Sequence, residues 1–125
     1  MLCRNLTKGN VAVERLTVAS TFHARQRGLL DRPSLPPDEG MLLTPCHSIH
    51  TLGMKFPLDV VFLDKQMRVV EVHANIAPGR PMLVCRKAHS TMELAAGVIA
   101  ARKIEVGDLL RVYNPASPAA RPPTK

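Results

Sequence analysis

The sequence predicts a mainly β (α+β) fold, a small antiparallel barrel or sandwich of about seven short strands with one or two short helices. Short runs of β-branched and aliphatic residues recur along the chain, separated by proline, glycine and other turn residues. Strand-like runs do not alternate regularly with long helical patterns. The βαβ units of a parallel α/β sheet are therefore not expected.

The first part of the chain predicts one strand and one helix. Residues 11–18 are rich in β-branched residues and follow a Gly-Asn turn signal, which is typical of a strand. A serine and a threonine then offer an N-cap, and apolar residues continue at helical spacing until Pro33. We expect a helix over about residues 21–31, with a basic polar face in solvent.

The middle of the chain predicts the central strands. The short apolar run 41–43 and the segment 48–52 both have strand character and are separated by a proline. Residues 58–63 are apolar except for Asp59, as expected of a strand that is buried on both faces. A polar turn follows, and residues 68–74 return, so the two runs predict an antiparallel hairpin.

Four shorter elements complete the predicted fold. Residues 82–84 and 91–95 have strand character, and the alanine-containing segment 98–104 indicates one or two helical turns. The last strand is expected over residues 109–113, after a glycine turn. We expect one compact domain over residues 1–113 and a disordered proline-rich tail over residues 114–125.

Composition and charge limit the classes of function. The chain has 125 residues, of which 46% are hydrophobic but only 3% aromatic, so the core must be aliphatic. A formal net charge of +7 allows weak binding of polyanions. The basic residues are scattered, and the aromatic residues that stack on unpaired bases are scarce, so specific nucleic-acid recognition is not expected.

Three cysteines without a C-x-x-C pair favour a reducing compartment over a disulfide framework. There is no apolar run long enough to span a bilayer and no apolar segment of a secretory signal at the N-terminus. We therefore expect a cytoplasmic protein, either a monomer or a weak dimer.

Five motifs follow one another along the chain. They are Arg25-x-Arg27-Gly28-Leu29, Gly40-Met41-Leu42-Leu43, His50-Thr51-x-x-Met54-x-x-Pro57-Leu58-Asp59-Val60-x-Phe62-x-Asp64, Glu93-Leu94-x-Ala96-Gly97 and Gly107-Asp108. In this order and spacing they resemble the domain of unknown function 192 family of small bacterial and archaeal proteins. The resemblance covers about residues 11–113 and implies a compact, mainly β domain without an established activity, cofactor or set of catalytic residues.

The leading functional hypothesis is a non-enzymatic ligand-binding or accessory module for an unknown small molecule, without a cofactor. Polar residues beside apolar strands predict a shallow pocket near His50 and Asp59. A carboxylate inside an apolar strand must be hydrogen-bonded or paired, so Asp59 is either a structural clamp or the polar end of this pocket. Glu93 raises the same question. The predicted ligand-binding residues are His50, Thr51, Met54, Asp59, Arg27 and Glu93.

Three alternatives remain open from the sequence. Cys46, His47 and His50 carry groups that zinc accepts, which suggests a metal-dependent hydrolase. Cys46 could instead be a nucleophile with His50 as its base and Asp59 as the orienting acid. The third hypothesis is a weak polyanion-binding module, which follows from the net charge.

Overall fold

The computed structural model describes residues 1–118, which form ten strands and two short helices. The mainly β class is confirmed. The elements are β1 (Leu2–Asn5), β2 (Asn10–Val13), β3 (Arg15–Ala19), α1 (Phe22–Arg27), β4 (Glu39–Leu43), β5 (Ser48–Ile49), β6 (Leu58–Leu63), β7 (Val69–Ile76), β8 (Leu83–Val84), β9 (Ser90–Ala95), α2 (Val98–Arg102) and β10 (Leu110–Tyr113).

The strands form open sheets rather than a closed barrel. The central sheet has five strands in the order β3-β4-β9-β6-β7, and a three-stranded sheet has the order β10-β1-β2. A third sheet pairs β5 with β8. All pairs are antiparallel except β3 and β4, which run parallel. Because β3 and β4 are parallel, the chain must cross over between them, and α1 lies in that crossover.

The central strand β6 is buried on both faces, as its sequence predicted. Its six side chains are all buried, and the hairpin that it forms with β7 is antiparallel. In the turn, the Asp64 carboxylate accepts hydrogen bonds from the backbone N–H groups of Gln66 and Arg68, at 2.9 and 3.0 Å. A side chain thus closes a turn that lacks glycine.

The two faces of the central sheet contact separate hydrophobic clusters. Val61 and Leu63 belong to the cluster that includes residues of β1, β2 and α2, whereas Val60 and Phe62 belong to the cluster that includes residues of β5 and β8. Because side chains alternate along a strand, Asp59 is on the same face as Val61. We call the Val61 side the α2 face and the Val60 side the α1 face.

The structure differs from the predicted elements at four places. The strand predicted over residues 48–52 is limited to Ser48–Ile49. β1 was not predicted. The strand predicted over residues 11–18 is divided into β2 and β3 by a bend at Glu14. The first helix ends at Arg27 rather than near residue 31, because Gly28 takes a positive φ of 48° and its N–H bonds to the Ala24 carbonyl.

The remaining described part of the chain is short. A turn follows β10, in which the Asn114 side-chain oxygen accepts a hydrogen bond from the Ala116 N–H at 3.0 Å. Most of the predicted disordered tail, residues 119–125, lies outside the described residues. Within residues 1–118, neither helix has the length or the apolar character that a membrane span requires.

Candidate functional site

A pocket of about 380 Å³ opens on the α1 face of the central sheet. It lies between α1 with the turn after it and the segment 45–50, and strands β4 and β9 each contribute to its lining. The residues that line it are Phe22, Arg25, Gln26, Arg27, Gly28, Leu29, Leu30, Leu43, Pro45, Cys46, His47, Ser48, Ile49, His50, Met54, Pro81, Met82 and Glu93.

One wall of the pocket is helix α1. The Thr21 hydroxyl caps the helix by accepting a hydrogen bond from the Ala24 N–H at 3.1 Å. Gly28 ends the helix, and a Cβ on Gly28 would lie 3.6 Å from a carboxylate oxygen of Glu93. The helix has no buried side chain. Its first residue, Phe22, is 71% exposed and gives the pocket an apolar edge.

Two arginines of α1 line the pocket, and they differ in whether a carboxylate pairs with the guanidinium. Arg27 was predicted as a ligand-binding residue, but its guanidinium pairs with the Asp31 carboxylate at 2.7 Å. The Arg25 guanidinium donates to two neutral groups, the Pro45 carbonyl at 2.8 Å and the Thr21 carbonyl at 3.3 Å. Within residues 1–118 no carboxylate pairs with Arg25, so its charge is available to a ligand.

Glu93 is the buried acidic group of the pocket. It lies on β9 between its cross-strand neighbours Met41 and Val60, both on the α1 face. The residue is 5% exposed, and its carboxyl group has no hydrogen bond or ion pair with any other described residue. Burial raises the pKa of Glu93 from 4.5 to about 7. A group in this position can bind a hydrogen-bond donor or a cation, or exchange a proton near neutral pH.

Asp59 does not line the pocket. It is fully buried on the α2 face, where one carboxylate oxygen accepts from the Asn75 N–H at 2.8 Å. The other oxygen accepts from the N–H groups of Gly97 and Ile99 at 3.0 and 2.9 Å. Asp59 therefore joins the start of α2 to β6 and β7, which is the clamp role that the sequence left open. His50 and Asp59 lie on opposite faces of the central sheet, so they do not share the pocket that was predicted between them.

Thr51 also lies outside the pocket lining. Its hydroxyl donates to the Ala77 carbonyl at 2.7 Å and accepts from the Arg80 N–H at 2.8 Å. These bonds hold the loop after β7. The neighbouring His50 is exposed and does line the pocket, as does buried Met54. Four of the six predicted ligand-binding residues, Arg27, His50, Met54 and Glu93, are therefore brought together.

The residues of the metal and thiol alternatives also lie at this pocket. Cys46, His47 and His50 all line it, and the Cys46 thiol donates to the Ser48 carbonyl at 3.2 Å. No three histidine, cysteine, aspartate or glutamate side chains in residues 1–118 are placed to hold a metal ion. Asp59, the proposed orienting acid, is on the opposite face of the sheet.

The sequence interpretation missed three lining residues that define the opening. Arg25 was interpreted as part of a solvated basic face, and Phe22 and Met82 were not considered. Phe22 and Met82 are 71% and 65% exposed, which is unusual for large apolar side chains. The apolar residue directly after the helix N-cap was the signal available for Phe22. Met82 follows a proline loop and gave no such signal.

Comparison with known proteins identifies the family. The model of the domain of unknown function 192 family (DUF192), described as "Uncharacterized ACR", matches residues 4–112. The chain belongs to the DUF192 family. A family relative, the UPF0127 protein of Thermococcus sibiricus, is 34% identical over 111 residues, a match that covers 83% of this chain and 70% of the relative. The resemblance inferred from the motifs is confirmed.

Two solved structures share the fold of this DUF192 protein. A protein of unknown function from Novosphingobium aromaticivorans has a TM-score of 0.81 at 24% identity, over 90% of this chain and 84% of that one. A candidate transcription regulator from Sinorhizobium meliloti has a TM-score of 0.74 at 21% identity, over 88% of this chain and 89% of that one. At these identities the likeness concerns the fold.

Proposed function

We propose that this DUF192 domain is a non-enzymatic small-molecule-binding or accessory module whose ligand occupies the pocket between α1 and the segment 45–50. The observation that carries the proposal is Glu93, an acidic residue that is only 5% exposed, lines the pocket and has no hydrogen bond or ion pair with another described residue. A carboxyl group that is mostly removed from water and bonded to no other residue keeps its hydrogen-bonding capacity for a ligand. A ligand with a hydrogen-bond donor would supply its partner.

The composition of the pocket supports the same function. Its volume of about 380 Å³ lies within the range of sites for small ligands. Apolar side chains such as Leu43, Ile49 and Met54 provide contact area, and a few polar groups can orient a ligand. The pocket is therefore suited to a small molecule with both apolar and polar parts.

The test is a metabolite panel followed by amide NMR on the full chain. We expect a bound compound to shift the resonances of α1, of residues 45–50 and of β9 around Glu93. The variant Ser48→Trp places a large side chain at an exposed position of the lining and should abolish binding. Ser34→Trp, at an exposed position outside the lining, is the control and should bind as the unmodified protein does.

Binding that survives Ser48→Trp, or shifts confined to another surface, would place the ligand elsewhere and overturn the proposal.

The thiol hydrolase alternative has one supporting observation, which is that Cys46 lies at the pocket beside His47. It predicts rapid alkylation of Cys46 and loss of a hydrolytic activity in Cys46→Ser. Slow alkylation, comparable to that of an unstructured thiol or slower, would count against this alternative.

A further inference from the structure

We propose that the ligand of this pocket is a small zwitterion, with a protonated nitrogen against Glu93 and an acidic group against Arg25. This inference rests on the proposed function and names the chemical class of the ligand. It follows from the opposite charges of Glu93 and Arg25, which both line the pocket, and from the apolar side chains that line it with them.

The inner end of the pocket requires a donor or a cation. Besides Glu93, the titratable or charged residues that line the pocket are Arg25 and Arg27 on α1 and Cys46, His47 and His50 on the facing segment. None of them forms a hydrogen bond or an ion pair with the Glu93 carboxyl group. The neighbouring strands present Met41 and Val60 to Glu93, and these are apolar. A protonated amine satisfies a carboxylate in such surroundings with charge-assisted hydrogen bonds.

The outer end requires an acceptor or an anion. The hydrogen bond from Arg25 to the Pro45 carbonyl holds the guanidinium across the pocket, from α1 to the facing segment. The guanidinium has five N–H donors, and its two bonds to backbone carbonyls leave donors and the full positive charge for a ligand. Arg27 is less suited to this role because Asp31 neutralises it. A carboxylate or a phosphate group suits the remaining donors of Arg25.

The apolar lining favours a ligand in which a short hydrocarbon chain separates the two charged groups. Met54 is buried, and Phe22 and Met82 are exposed at the opening, so apolar surface extends from the inside of the pocket to its edge. A simple cation would be repelled by the basic opening. A simple acid would leave Glu93 without a partner. A zwitterion satisfies both ends.

The test compares matched probes by NMR titration of the full chain. The probes are 4-aminobutanoate and 6-aminohexanoate, with butylamine and butanoate as the single-charge controls. We expect one of the zwitterions to bind about tenfold more tightly than either control, as one added charge-assisted contact requires. Affinity for the zwitterion should also rise with pH between about 6 and 8, as Glu93 ionises.

Three variants test which residue binds each charged group of the ligand. Glu93→Gln should remove the advantage of the zwitterion over butanoate and the dependence on pH. Arg25→Gln should remove its advantage over butylamine. Arg86→Gln, which removes the same charge at an exposed position outside the pocket lining, is the matched control and should change each affinity by less than about twofold. Circular dichroism and thermal melting confirm that each variant is folded before titration.

The outcomes separate this inference from the proposed function. If butanoate binds as tightly as the zwitterions, or if Arg25→Gln and Glu93→Gln leave the affinities unchanged, the inference of a zwitterionic ligand is wrong. If none of these probes binds but other panel compounds bind at the pocket, the zwitterion is also wrong while the binding function stands. If no panel compound binds at the pocket, both are overturned.

Discussion

Asp59 and Glu93 are buried carboxyl residues on paired strands of one sheet, yet their surroundings are opposite. Asp59 is on the α2 face and accepts hydrogen bonds from three backbone N–H groups. Glu93 is on the α1 face, one position away in the register, and its carboxyl group has no partner among the described residues. Asp59 joins three segments of the fold, whereas the carboxyl group of Glu93 lines the pocket and can contact a molecule bound there.

This difference shows that burial alone does not identify a functional carboxylate. Both residues interrupt apolar strands, so the sequence assigns them the same hypothesis. The distinction comes from what each side chain contacts. Asp59 contacts the start of α2, whereas Glu93 lines a cavity. A buried charge with its hydrogen bonds satisfied is structural, and one without them is a candidate site.

The largest effect is expected at Asp59. Asp59→Asn replaces one carboxylate oxygen by an amide NH2 group, which in either orientation faces at least one of the three backbone N–H donors. We expect it to lower the free energy of unfolding by about 3 kcal/mol or more in urea denaturation. Asp31→Asn, at an exposed ion pair, is the control and should cost less than about 0.5 kcal/mol. Equal, small losses would show that Asp59 is not a clamp.

A pH-dependent effect is expected at Glu93. Its pKa is about 7 in the folded chain, against an ordinary value of 4.5, so between these values the folded chain keeps a proton that the unfolded chain releases. Stability contributed by Glu93 is therefore highest below pH 4.5 and falls as the pH rises to about 7, by about 3 kcal/mol in total.

The measurement is the difference in unfolding free energy between the unmodified protein and Glu93→Gln, from urea denaturation at several pH values. Because other groups titrate in both proteins, only this difference reports on Glu93. We expect the variant to gain relative stability between pH 5 and 8. A difference that does not change with pH would mean that Glu93 has a partner and that the contrast with Asp59 is false.

The smallest effect is expected at Thr51, which extends the comparison to a neutral group. Thr51→Val keeps the shape but removes the hydroxyl that bonds to the Ala77 carbonyl and the Arg80 N–H. We expect a loss of about 1 to 2 kcal/mol by urea denaturation and no change in ligand affinity. Thr17→Val, at an exposed position of β3, is the control and should be neutral or nearly so. A loss of ligand affinity in Thr51→Val would return Thr51 to the binding site.

Much of the fold could be predicted because its central elements have local signals. The apolar run of β6 and its return in β7 are evident from composition and alternation. β1 could not be predicted in this way, because Leu2–Asn5 is short and its strand conformation depends on pairing with both β2 and β10. β10 is contributed from the other end of the chain, so no local window contains that information.

The site could be predicted only in part, for a related reason. The burial of Asp59 was evident, but its partners are backbone N–H groups from distant segments, which no local sequence pattern indicates. The alternation of side chains along β6 puts Asp59 on the face opposite to Val60 and Phe62, and so away from the hydrophobic cluster of the α1 face. The approach of Arg25 to Pro45 depends on the parallel pairing of β3 and β4, which the sequence did not indicate.

Helix α1 has a kinetic consequence for the pocket. It buries no side chain, and a cap at Thr21 and the bond from Arg25 to Pro45 are among its few attachments. Glu93, in contrast, lies on a strand paired on both sides within the central sheet. The helical wall can therefore open by local unfolding while the sheet stays intact. If the proposed ligand binds, the lifetime of this short helix would control ligand exchange, and bound ligand would slow amide hydrogen exchange in α1.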